Sequence, residues 1–385
     1  MVASVGRGSN DDVSRYFAIT TNQFFRAPSL SNFPYLYYTN FAPCRYGPIA
    51  IAVSRNGMKI CSTCTHYCYG GYVNELDMNL LAEAVSESPW NVVLVENFTL
   101  EELIGRIVNV LREYRETEKP IVGINKAWGR NRLSFLYADL IKRLCSQGVG
   151  VVDATEVLVD VFDKSFEEEL PIIRWISDTA SKALQAVEEV LRPGIRECEV
   201  AAIVDKVLDE NGIVDRWFTT MVVSGPRTAT PHAKTSARRI SPGDPVVVDL
   251  GPMWMGYDGC IAYTFIVGQN EYWQRVLEDV VEAIRTGLEY VKPGIPVRIL
   301  DEAPRKFLQS RGYLDYPHLT GHPIGGFYKP VIAGFIEYKL EPGMVFAYEP
   351  AVYLPGKGGV RVEPHILITS HGHQILTEYH RRLFN

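Results

Sequence analysis

The chain has 385 residues, of which 46% are hydrophobic and 22% charged, and it carries a net charge of −6. That length suggests about two domains, with ample apolar material for packed cores and no disorder signature. The acidic balance argues against a nucleic-acid partner, whose binders usually carry a basic field, and no apolar run approaches the roughly 18 residues that span a bilayer, so no membrane partner is expected.

The N-terminal stretch has no apolar segment ahead of its acidic residues, so no secretory signal is expected. Seven cysteines in a long chain read as reduced thiols in a cytoplasmic protein. Pro48 to Ser54 and Met58 to Cys64 flank Arg55-Asn56-Gly57, and Asn-Gly is a strong hairpin signal. Strands are predicted at Asn91–Glu96, Pro120–Asn125 and Gly150–Ala154. Helices are predicted at Thr99–Glu116, opened by a Thr99/Glu102 capping box, and at Arg130–Gln147, closed by Gly148. The result is an α/β N-terminal domain over residues 1–164 with nothing in it that looks catalytic. Cys61, Cys64, His66 and Cys68 are soft-metal donors, but they fall in one predicted strand instead of two turns, so they read as small half-buried residues.

The second domain, residues 165–385, opens with Glu167, Glu168 and Glu169 ahead of a helix running to Leu191. Further helices are predicted at about Glu197–Glu210, Tyr272–Val291 and Val297–Arg311, with strands between and after them. Five segments place a polar residue in an apolar strand or tight loop. PVVVDLG ends on Asp249; GYDGCIAYTFIVG, predicted as one strand, carries Asp258 and Cys260; LTGHPIGG presents His322; MVFAYEP presents Glu349; GVRVEPHILIT presents Glu363, with Arg361 and His365 on the same face. A carboxylate in an apolar strand is costly unless paired or metal-bound. Several beside one another repel, and a divalent cation resolves that conflict. His318 is read as lying outside the pocket, and the glycines at 356, 358 and 359 as a hairpin turn, not a phosphate loop.

These segments carry a resemblance. SGPRTATPHAKTSAR (Ser224–Arg238), DLGPMWMGYDGCIAYTF (Asp249–Phe265), TGHPIGG and EPGMVFAYEPAVYLPGKGGVRVEP resemble the signature stretches of the prolidase, aminopeptidase P and creatinase family. The resemblance covers Glu168 to the C-terminus and implies an α+β pita-bread (creatinase/aminopeptidase-like) C-terminal domain behind the α/β N-terminal domain. It implies a metal-dependent hydrolase of peptides, an Xaa-Pro dipeptidase or Xaa-Pro aminopeptidase, holding one or two divalent ions (zinc, manganese or cobalt) and forming a homodimer. Asp249, His322, Glu349 and Glu363 match four of the family's five metal ligands. The fifth position, eleven residues after Asp249, is Cys260 in place of an aspartate. Asp258 is an alternative, displaced by about 6–7 Å along a regular strand. A thiolate favours softer ions such as zinc.

A second departure is Lys329, seven residues after His322, where the family has a histidine. Lesser departures are Arg227, Tyr263 and Pro364. The resemblance implies metal-activated water as nucleophile, with Glu349 shuttling the proton, Lys329 donating to the oxyanion, and His232 and Arg361 binding substrate. His232 is counted as catalytic as well. Lys329 is also expected to neutralise Asp249 if that residue loses its metal. Two other outcomes stay open: a metal-free, creatinase-like hydrolase working through His232, and a non-catalytic pita-bread homologue that binds peptide or protein.

Overall fold

The computed structural model describes residues 16–20, 49–54, 57–63, 91–95, 121–124, 135–153, 164–165, 167–254, 256–326 and 329–384. The chain divides into two compact units, Met1–Val161 and Phe162–Asn385. In the first, six strands form a mixed sheet in the spatial order 91–95, 57–63, 49–54, 16–20, 121–124, 150–153. The predicted hairpin is present: Ile49–Ser54 pairs antiparallel with Gly57–Thr63, Ser54 facing Gly57. The predicted strands appear at Asn91–Val95, Ile121–Ile124 and Gly150–Asp153, and a helix at Phe135–Ser146. The predicted helix at 99–116 and the donors Cys64, His66 and Cys68 lie outside the described residues.

The second unit is built from two helix pairs, each burying its apolar face on its own set of strands. Helices Leu170–Val190 and Glu197–Glu210 form one core with Val222, Val246, Val248, Leu250, Ile261 and Phe265. Helices Glu271–Leu288 and Val297–Ser310 form the other with Phe346, Tyr348, Val352, Val360 and Val362. Each such buried side chain contributes about 1.5–3 kcal/mol.

Because successive strand residues face opposite sides, these core positions decide where the polar residues point. Pro245–Leu250 is buried along its whole length, which is why it reads as a continuous apolar run. Val246, Val248 and Leu250 face the first helix pair, so Asp249 faces away from it. Phe346 and Tyr348 face the second helix pair, so Ala347 and Glu349 face away. Val360 and Val362 put Arg361 and Glu363 on that same inner side. The two helix-backed sheets thus turn their polar positions toward each other, and Glu363 joins them by bridging to Ala262 through its backbone N–H, 2.8 Å from the Ala262 carbonyl. Among the described residues, no helix is long and apolar enough to cross a membrane.

Candidate metal centre

Four strands deliver the cluster. Pro245–Leu250 and Ile261–Ile266 pair antiparallel, with Asp249 opposite Ala262. Gly321–Pro323 pairs with Val345–Tyr348, His322 opposite Ala347, and the Glu349 N–H donates to Thr320 O at 2.8 Å. Gly321 is required at the start of this segment, since a Cβ there would meet the Ala347 carbonyl oxygen at 2.5 Å.

The sequence suggested one strand through Asp258 and Cys260, and here the structure differs. The strand breaks at Gly259 and Cys260: Tyr257–Asp258 pairs with Pro252–Trp254, and Ile261 begins a separate strand. Gly259 sits where a Cβ would meet Ile176 at 2.9 Å and His365 at 3.0 Å. Asp258 is turned toward the histidine loop, with its Oδ2 buried and without a hydrogen bond. Its Oδ1 accepts from Gly326 N at 2.7 Å, and its own carbonyl accepts from Gly325 N at 2.8 Å, so it braces the histidine loop. Burial raises its carboxyl to about 6, against those backbone donors. Cys260 is fixed from behind by His365, whose Nε2 lies 3.0 Å from Cys260 N and 2.8 Å from its carbonyl oxygen, and whose Nδ1 lies 2.8 Å from Ser177 Oγ. His365 thus supports the cluster without entering it; burial lowers its pKa to about 4 and keeps the ring neutral.

The donor atoms of Cys260, His322 and Glu363 lie within 4.8 Å of one another, the single such group among the described residues. His322 Nε2 is 3.5 Å from Glu363 Oε1, and the ring is oriented by its Nδ1, 3.0 Å from Pro323 O. Glu363 is 0% exposed, and both of its carboxylate oxygens are buried without a hydrogen bond. Its charge is met by His322 and by Arg361, whose Nε lies 3.8 Å from Oε2, but buried carboxylate oxygens left without a hydrogen bond remain costly. Those oxygens, beside an imidazole and a thiol, fit a divalent ion.

Burial, reinforced by Glu363, raises Glu349 to about 8. Burial raises Asp249 to about 7 against the pull of Arg361. Burial opposes the charge on His322, but Glu363 and Glu349 outweigh it and raise the ring to about 9. Burial likewise opposes the Glu363 carboxylate, yet His322 and Arg361 hold it at about 2. Each shift is what closely placed buried acids, an imidazole and a guanidinium impose on one another.

Asp249 and Glu349 stand outside the three-residue group. Asp249 is ion-paired with Arg361, its Oδ2 meeting the guanidinium Nη2, while its Oδ1 lies 4.0 Å from Cys260 Sγ. The expectation that Lys329 neutralises Asp249 is corrected: Arg361 does so, and Lys329 Nζ lies 5.4 Å from the centroid of the Tyr338 ring. The expectation that Arg361 binds substrate is corrected too. It is 1% exposed, and its Nη1 donates to Pro231 O at 2.8 Å and Tyr353 Oη at 3.0 Å. Thr264 Oγ1 clamps its backbone, accepting from Arg361 N at 2.9 Å and donating to its carbonyl at 2.8 Å. Arg361 thereby ties the cluster to the loop that carries His232, which is itself exposed.

His318 overturns its reading as a residue outside the pocket. Its Nδ1 lies 3.7 Å from Glu349 Oε2 and 2.7 Å from Leu319 O, and its Nε2 lies 3.0 Å from Tyr353 Oη. Since Leu319 O only accepts, the proton sits on Nδ1, and Nε2 accepts from Tyr353. Burial lowers the ring to about 4, in keeping with that neutral tautomer. Trp217, also unmarked in the sequence, lies against His322 with ring centroids 5.3 Å apart. No local pattern distinguishes His318, Tyr353 or Trp217; their roles come from chain segments far apart in sequence.

The signature stretch Ser224–Arg238 proves to be largely a scaffold. Glu197, buried at the start of its helix, accepts from Ser224 N at 2.8 Å and Oγ at 2.7 Å, and from Ser236 N at 2.9 Å and Oγ at 2.6 Å, and pairs with Arg227. Arg238 donates to Asp244 Oδ2 at 2.6 Å. Gly358–Arg361 pairs with Ala351–Leu354 as a hairpin, and Gly359 N donates to Thr228 Oγ1 at 2.6 Å, holding that hairpin to the same loop.

The pattern of metallopeptidase family M24 matches residues 172–370, which span every residue of the cluster. The chain belongs to metallopeptidase family M24. It is 38% identical over 232 residues to the Xaa-Pro dipeptidase of Pyrococcus furiosus, an alignment covering 59% of this chain and 67% of that one. The Xaa-Pro dipeptidase of Pyrococcus horikoshii matches equally well, over 59% of this chain and 66% of its own. The solved prolidase from Pyrococcus furiosus superposes with a TM-score of 0.74 at 30% identity, covering 95% of this chain and 96% of that one. The second unit is accordingly a pita-bread domain, and M24 membership makes this a divalent-metal peptidase fold.

Proposed function

We propose that this M24 protein is a metal-dependent exopeptidase that cleaves the bond preceding proline, as a dipeptidase or aminopeptidase. The observation that carries the reading is the buried Glu363 carboxylate, both oxygens without a hydrogen bond, beside His322 and Cys260. A divalent ion there supplies Lewis acidity toward the scissile carbonyl and lowers the pKa of water. Zinc, cobalt and manganese are the ions to test. Glu349, its carboxyl raised by burial and by Glu363, accepts the proton from the attacking water and returns it to the leaving nitrogen. His232, exposed on its loop, meets the substrate, and Lys329 donates to the oxyanion. Arg361 is a positioning residue between Asp249 and the Pro231 carbonyl. A peptide substrate, a homodimer and a cytoplasmic location belong to the same reading.

The test is hydrolysis of Xaa-Pro against Xaa-Ala dipeptides and longer Xaa-Pro peptides after loading with each of the three ions. Glu349→Gln is expected to lower kcat by about 10²–10⁴ while leaving metal content unchanged. No cleavage of any Xaa-Pro substrate under any loading would replace the enzyme with a peptide-binding homologue. Metal-independent hydrolysis abolished by His232→Ala would point to creatinase-like chemistry.

A further inference from the structure

We infer that the centre holds a single ion through a cysteine thiolate, with Cys260, His322 and Glu363 as its protein ligands and one coordination position left open. This rests on the metallopeptidase reading and specifies its metal site.

Three observations combine. The first is the set of donors. Among the described residues, only the sulfur of Cys260, a nitrogen of His322 and an oxygen of Glu363 come within 4.8 Å of one another. The 3.5 Å between His322 Nε2 and Glu363 Oε1 fits two ligands about 2.0–2.1 Å from one tetrahedral ion. The second is the condition of the two remaining acids. Asp249 is bound to Arg361, and Glu349 leans toward His318 Nδ1 at 3.7 Å. Asp249 Oδ1 comes within 4.0 Å of Cys260 Sγ, but neither acid lies within 4.8 Å of all three donors. The third is the chemistry of position 260. A carboxylate offers two oxygens and can span two ions, whereas the single sulfur of Cys260 sits on a shorter side chain and is a softer donor.

The backbone of Cys260 is held by Nε2 of His365, which a neutral ring uses either to accept from the N–H or to donate to the carbonyl, and the thiol lies 4.0 Å from Oδ1 of Asp249, an acid whose other oxygen is taken by Arg361. As the ion binds, the thiol proton leaves to solvent and the sulfur–metal bond forms; no redox partner is needed. Three protein ligands leave the fourth tetrahedral position for water or substrate, which separates this arrangement from a closed structural zinc site.

Cobalt(II) is the probe. The full-length protein, freed of metal by chelation and titrated with cobalt(II), is expected to bind one ion per chain. It is expected to show a near-ultraviolet sulfur-to-cobalt charge-transfer band and strong visible absorption of tetrahedral cobalt. Cys260→Ser, a near-isosteric change, is expected to lose the charge-transfer band while its circular dichroism stays native. Cys260→Asp is expected to lose the band and to take up a second ion. Two cobalt ions in the wild type, a wild type without the band, or a band that survives in Cys260→Ser would overturn the assignment. Should Cys260→Ser fail to fold, the wild-type stoichiometry and band still decide. The two readings fail separately: Xaa-Pro hydrolysis without the band sinks the thiolate site alone, and the band without hydrolysis sinks the peptidase alone.

Discussion

Glu197 shows how a single buried charge organises a recognition loop far from any chemistry. Its carboxylate gathers two serine hydroxyls, two backbone N–H groups and the Arg227 guanidinium. Burial alone would raise its pKa, but the hydrogen bonds from Ser236, Ser224 and Arg227 outweigh it and the net shift is downward. The sign follows. A carboxyl whose folded pKa is depressed contributes stability above its ordinary value of 4.5 and loses it as pH falls through the folded pKa. Glu197→Ala removes the ion pair with Arg227 and the acceptor of the buried Ser224 N–H and the half-buried Ser236 N–H, and is expected to cost about 1.5–3 kcal/mol at neutral pH. Urea unfolding at several pH values should show the wild-type advantage constant above about pH 5.5 and shrinking below 4.5. A gap that stays constant down to pH 3 would mean that Glu197 acts through packing, not charge. Arg227 stands where the family has asparagine, and its pairing with Glu197 accounts for it physically. The Cys260 and Lys329 replacements differ in kind, since both lie among the residues of the proposed reaction.

At the scale of elements, alternation does most of the placing. The helix-facing residues of three strands are apolar, so their neighbours, Asp249, Glu349, Arg361 and Glu363, emerge together on the inner side. That much was legible, because a charged residue in an apolar run has few physical explanations. The break at Gly259 and Cys260 was not legible. Gly259 is its one local mark, and what the chain pattern does not show is that Ile176 and His365 pack so closely there that a Cβ would meet them at 2.9 and 3.0 Å. His318 was misread for a related reason: its neighbours Tyr353 and Glu349 are more than thirty residues away. Close packing at element ends gives a second test. Gly321→Ala drives a Cβ to 2.5 Å from the Ala347 carbonyl oxygen, a backbone atom that cannot step aside. Overpacking of this kind costs about 1–3 kcal/mol, and thermal melts should show it. An unchanged midpoint would mean that the His322 strand is more compliant than its pairing suggests.

At the scale of the whole molecule, the proposed metal joins the two helix-backed halves of the second unit, since Cys260 follows one sheet and His322 lies in the other. An ion that binds the folded state alone stabilises by RT ln(1 + [L]/Kd), about 2.7 kcal/mol at a hundredfold excess over Kd. For a unit of this size that is roughly 5–10 °C in melting midpoint. Calorimetry with and without zinc should show the gain, and chelation should reverse it. A midpoint indifferent to saturating zinc would mean that the halves are held by packing alone and that no ion bridges them.

The sequence by itself determined the fold class and most element positions, and it named Asp249, Cys260, His322, Glu349 and Glu363 as candidates. Periodicity and the cost of burying charge are local properties, readable from neighbours in the chain. Which donors converge was decided only in three dimensions. Asp249 turned to Arg361, Asp258 to the Gly325–Gly326 backbone and Glu349 toward His318, leaving Cys260, His322 and Glu363 together. Convergence is a matter of a few ångströms between distant segments, and that depends on how the sheets pack, which local sequence patterns do not encode.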